Sequence, residues 1–152
     1  MKIGLLSYRS NPYSGGQGIY IRHLSKALSK LGHEVTVISG QPYPELDDSI
    51  NLIKLPGLGL FESGDRFSAF KISFFWNLLN FYEWFTVMTG GFPEPYAYGR
   101  RVYRLLKKTN CNFDILLDNQ SLSSSLLKIQ KEFPLVVTIH HPITRDHKLE
   151  MD

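Results

Sequence analysis

Lys2-Ile3-Gly4-Leu5-Leu6-Ser7, Ser14-Gly15-Gly16-Gln17-Gly18 and Glu34-Val35-Thr36-Val37-Ile38-Ser39 follow one another at the start of the chain, and their spacing decides the fold. The first is a short apolar run with turn residues on its far side, the pattern of a buried strand. After the glycines, Ile21, Leu24, Ala27, Leu28 and Leu31 recur at helical spacing, so a helix is expected from about Gln17 to Leu31. Gly32 ends it, and Glu34–Ser39 reads as a second strand. A strand–helix–strand unit of this length implies parallel strands and a right-handed crossover. Gly15 and Gly16 stand where the chain turns into the helix. Glycine there lets the backbone approach a ligand closely, and the positive helix end favours an anion such as a diphosphate. Making the turn is the simpler role the same glycines could fill.

The alternation continues. Ile50–Leu55 reads as a third strand, closed by Pro56-Gly57. From Phe67 to about Met88 the chain is dense in aromatic and aliphatic residues, and wound as a helix it lines up Phe67, Phe70, Phe74, Leu78, Phe81 and Phe85. Lys71, Asn77, Asn80 and Glu83 interrupt the run, so it does not read as a membrane span. Its surplus apolar surface suits packing within the protein first, then a missing domain or a membrane interface. A further helix is expected from about Tyr96 to Thr109, with Val102, Leu105 and Leu106 inward. Its Arg100, Arg101, Arg104, Lys107 and Lys108 form a basic stripe that reads as a solvated face. Asp114–Leu117 is a fourth strand, Asp118-Asn119-Gln120-Ser121 a polar crossover into a helix ending near Glu132, and Pro134–His140 a fifth strand buried on both faces. Alternating strands and helices throughout give an α/β chain with a doubly wound parallel sheet.

Composition narrows the function. With 152 residues, 43% of them hydrophobic and 20% charged, the chain reads as a single globular domain. A net charge of +3 is mild and suits an acidic ligand or an anionic surface. No basic tract carries interleaved aromatics, so nucleic acid is not an expected partner. The lone cysteine, Cys111, precludes an internal disulfide and fits a reducing compartment. Met1–Ser7 is too short for a signal peptide, and a cytoplasmic location is expected.

Ligands of open α/β sheets bind beyond the carboxyl ends of the strands. Three segments converge there: the Gly15-Gly16 turn, Asp118-Asn119-Gln120, and His140-His141-Pro142. A histidine at a strand end can hydrogen-bond or polarise a substrate near neutral pH. His140 faces that edge on the expected alternation and His141 faces away. The dinucleotide fingerprint fails, because Gly16-Gln17-Gly18 has no third glycine behind it and Ser39-Gly40 lacks an acidic residue for a ribose. No Gly-Lys-Ser/Thr phosphate loop occurs, and His140, His141 and His147 lack the spacing and cysteine partners of a zinc site.

Ser14–Leu24, Leu31-Gly32-His33-Glu34-Val35-Thr36-Val37-Ile38, Asp114–Leu122 and Val136–Thr144 together resemble the N-terminal domain of family 4 retaining glycosyltransferases, over nearly the whole chain. The resemblance implies the N-terminal half of a GT-B fold, in which two Rossmann-like domains face each other across a cleft. It implies that residues 1–152 are the acceptor-side domain, incomplete at its C-terminus, with the donor-binding domain absent. It carries the donor diphosphate contact to Gly16, with Gly15 shaping the turn, and the donor-sugar contact to His140 as the catalytic-site histidine. Asp118, Asn119 and Gln120 become acceptor-side candidates by location. The implied partners are a nucleotide-sugar donor and a glycan, lipid or small-molecule acceptor, with no metal or other cofactor. Peripheral contact at the inner face of the membrane is a further expectation. The full protein would be a glycosyltransferase and this piece inactive alone. The alternative is a non-catalytic acceptor-binding domain or one subunit of a split enzyme.

Overall fold

The structure, a computed structural model, describes residues 1–13, 16–60, 76–109 and 111–140. Five strands, β1 (Lys2–Ser7), β2 (Glu34–Ser39), β3 (Asn51–Lys54), β4 (Ile115–Asn119) and β5 (Leu135–Thr138), form one sheet in the order β3-β2-β1-β4-β5. All four pairings are parallel. The order reverses at β1, where chain leaves for β2 on one side and β4 lies on the other. That reversal opens a crevice beyond the strand ends.

Strand alternation sorts the apolar residues onto two faces. Ile3 and Leu5 of β1, in register with Val35 and Val37 of β2, pack with Ile21 of helix α1 (Gln17–Lys30). Leu6, Ile38 and Leu116 face the other way and pack with Tyr98, Val102 and Leu106 of helix α3 (Glu94–Thr109), joined by Leu126 and Ile129 of the single-turn helix α4 (Leu126–Ile129). Helices therefore cover both faces, as the alternating sequence predicts. Tyr98 ties the second layer to the sheet. Its hydroxyl accepts from the Ser7 amide at 2.9 Å and donates to the Ile38 carbonyl at 2.6 Å, joining the carboxyl ends of β1 and β2. Full burial raises its pKa well above that of an ordinary phenol.

Several elements differ from the sequence reading, and β5 ends at Thr138, two residues short of the expected His140. Helix α2 spans Leu78–Met88, because the Asn77 side chain caps it, accepting from Leu79 N at 3.2 Å and Asn80 N at 3.4 Å. Trp76 and Asn77 thus precede the helix, and the expected positions Phe67, Phe70 and Phe74 lie outside the described residues. The buried face of α2 is Leu79, Glu83 and Val87, whereas Leu78 is 79% exposed and Phe85 53% exposed. The basic stripe on α3 is interrupted by Arg101, which turns inward to meet Glu83 at 2.5 Å. The fifth strand is not buried on both faces: among the described residues it is the sheet edge, with Val136 46% and Val137 37% exposed. Its neighbouring helix α4 is only four residues long and covers little of it.

Among the described residues, no helix is long and apolar enough to cross a membrane.

Candidate functional site

Helix α1 begins at the site edge without a side-chain cap. Gly16 is its N-cap at φ 50°, a left-handed conformation that favours glycine, and a Cβ there would meet nothing within 4 Å. The Tyr20 amide closes the first turn on the Gly16 carbonyl at 2.8 Å, leaving the earlier amides without intrahelical acceptors. No acidic residue occupies this turn. The positive end of this 14-residue helix thus carries no side-chain cap and no acidic residue in its first turn. Gly15 lies outside the described residues.

Gly18 plays a different part, which sequence reasoning missed. A Cβ on it would stand 2.2 Å from the Asn11 carbonyl oxygen and 2.6 Å from that of Ser10. Only glycine lets the first turn of α1 lie directly on the β1–α1 loop. The third position of Gly16-Gln17-Gly18 was the available signal, but its packing role depends on a loop several residues upstream.

The fourth strand runs two residues further than expected, so Asp118 and Asn119 are strand residues rather than crossover, in register with Val137 and Thr138 of β5. Asp118 is fully buried, and its carboxylate organises the loop behind it. It accepts from the Ser121 hydroxyl at 2.5 Å, from the Ser121 amide at 2.9 Å and from the Leu122 amide at 3.3 Å. These bonds hold a turn in which Gln120 and Leu122 take positive φ of 57° and 43°. Burial raises the Asp118 pKa, with the bonds from Ser121 and Leu122 opposing the rise. Its carboxylate is thereby committed to the loop.

Asn119 and Gln120 instead reach His140, two residues beyond β5. The Asn119 Oδ1 lies 2.7 Å from His140 Nε2, and the Gln120 Oε1 accepts from the His140 amide at 2.9 Å. The Tyr20 ring packs edge-on against the imidazole, with centroids 4.7 Å apart and planes at 79°. Helical side chains lean toward the N-terminus, so Tyr20 covers the opening turn of α1 and brings His140 against it. Asn119, Gln120, His140 and Tyr20 are thus brought together at the carboxyl edge, with Gly16 one turn before Tyr20 on α1. His141 and His147 lie outside the described residues. No group of three or more His, Cys, Asp or Glu that could hold a metal occurs among the described residues.

A second concavity opens on the same edge over β1–β3, lined by Tyr8, Gly40, Leu55, Glu94, Tyr98 and Arg101. Nothing local in the sequence marks it, since its walls come from the ends of separate elements.

Fold and site together put a helix start without a side-chain cap and a hydrogen-bonded histidine at the carboxyl ends of the strands. Residues 14–151 match the profile of Glycosyltransferase Family 4, and the chain belongs to that family. It is 48% identical over 153 residues to the MMP alpha-(1->4)-mannosyltransferase of Mycolicibacterium hassiacum, a match covering 99% of this chain. The chain spans 37% of that relative's length. Among solved structures it is similar to the crystal structure of LpCGTa in complex with UDP, with 17% identity, coverage of 90% of this chain and 29% of that one, and a TM-score of 0.49.

Proposed function

We propose that this chain forms the acceptor-side domain of a GT-B glycosyltransferase that moves a sugar from a nucleotide-sugar donor to a glycan, lipid or small-molecule acceptor, with retention at the anomeric carbon. The observation that supports this reading is the ring contact of His140 with Tyr20, which lies one turn after Gly16 on α1. A donor lying across that point would rest its diphosphate on the turn at Gly16 and its sugar against His140. The nucleotide would be gripped from the far side by a facing domain.

The chemistry suits such a cradle. As the bond from the anomeric carbon to the diphosphate breaks, negative charge builds on the departing oxygen. Prearranged backbone donors at a helix N-terminus stabilise that charge without reorganising. The acceptor hydroxyl forms the new bond to the same carbon, and its proton passes to the departing phosphate, so no metal is called for. The 48% identity to a protein named as a mannosyltransferase supports trying mannose donors first.

The test is transfer by the complete protein from a panel of nucleotide sugars, with the product's anomeric configuration read by NMR and EDTA present in a parallel reaction. Transfer with retention that survives EDTA is expected. An inverted product, or transfer abolished by EDTA and restored by a divalent ion, would overturn the proposal.

A further inference from the structure

We infer that Asn119 is a positioning residue that holds the His140 ring as its Nε2–H tautomer, leaving Nδ1 as the ring's hydrogen-bond acceptor. The Asn119 side chain is fully buried at the last position of β4, where pairing with Thr138 fixes its backbone. Its Oδ1 stands 2.7 Å from His140 Nε2. An amide oxygen only accepts, so the ring nitrogen facing it must carry the proton. In the neutral imidazole the other nitrogen then holds the lone pair.

Two further contacts leave the ring little freedom to escape this partner. Gln120 Oε1 takes the His140 amide at 2.9 Å, and Tyr20 packs against the ring at 4.7 Å. The cost of the arrangement is visible on the same side chain. Asn119 Nδ2 is buried without a hydrogen-bond partner among the described residues. An unsatisfied buried donor destabilises the fold, a cost that an aliphatic residue ending β4 would avoid. Strand packing alone therefore gives no reason for an amide here, whereas a fixed imidazole does. A neutral ring with an accepting Nδ1 is matched to a hydroxyl proton, the group a sugar presents. That last clause rests on the glycosyl-transfer reading, while the tautomer itself does not.

The experiment is long-range proton–nitrogen NMR on the protein labelled with 15N-histidine, at a pH about 1.5 above the usual imidazole pKa. The His140 signals are those lost in His140→Gln. The wild type should show a pyrrole-type Nε2 and a pyridine-type Nδ1. Asn119→Ala should give the averaged pattern of a free imidazole, and Asn119→Asp, whose carboxylate only accepts, should keep the Nε2–H form. A wild-type ring protonated on Nδ1, or an Asn119→Ala ring unchanged from wild type, overturns the inference. If Asn119→Ala fails to fold, the wild type and Asn119→Asp decide it, and a ring protonated on Nδ1 in either one counts against it. Because no substrate is needed, failure of sugar transfer would leave the tautomer result standing, and a wrong tautomer would leave the transfer reading untouched.

Discussion

Asp118 stabilises its loop through three hydrogen bonds yet resists ionisation, and the two effects separate with pH. Its pKa is higher in the fold than in the unfolded chain, so folding is favoured more when the group is protonated. The stability it contributes is fully present below the unfolded value, near 3.8, and is lost as pH rises through the raised folded value. Asn at this position cannot ionise. The stability of Asp118→Asn relative to wild type should therefore improve as pH rises from about 3.5 and level off above the raised folded value, read from urea denaturation at each pH. A stability difference independent of pH would mean that the hydrogen bonds fully offset burial of the charge. Asp118 also shows what a residue's identity leaves unsaid. Its acidity and its place near the strand ends were legible in the sequence. Its commitment to the Ser121 and Leu122 amides was not, because that depends on the backbone turning back through positive φ.

At the scale of elements, α2 and α3 are joined by the buried pair of Arg101 and Glu83, whose side chains are 15% and 3% exposed. Arg101 also donates to Asn80 Oδ1 at 3.0 Å. Removing one partner of a buried pair strands the other charge, so Arg101→Met should lower stability by about 3–5 kcal/mol. Adding Glu83→Gln should recover much of that loss, and equal stability of the two variants would show that the charges are not coupled. This pair explains why the face of α2 was misjudged from sequence. The aromatic stripe is a local pattern and easily seen, but the inward carboxylate finds its arginine 18 residues away. β1, α1 and β2 were legible because apolar period, breakers and stop signals all lie within the segment itself. The exposure of β5 follows from strand order, which no single segment encodes.

Across the whole molecule, the reversal of strand order at β1 puts β4 and β5 on one side of β1 and β2 and β3 on the other, with Tyr20 of α1 reaching His140 beyond β5. The sequence pointed to Gly16 and His140 on this edge, since each follows a recognisable strand. It could not show that Asn119, Gln120 and Tyr20 hold the histidine, as those contacts join three elements and 20 or more residues of chain. The proposed sugar transfer rests on membership of Glycosyltransferase Family 4, and that proposal assigns the donor-sugar contact to His140. The most direct measurement is kcat/KM for sugar transfer by the complete protein carrying His140→Ala, with folding checked by circular dichroism. A loss of about 100-fold, on the scale of removing one positioned group from a polar active site, is expected. Transfer within about twofold of wild type by the folded variant would contradict a donor site built on His140 and the first turn of α1.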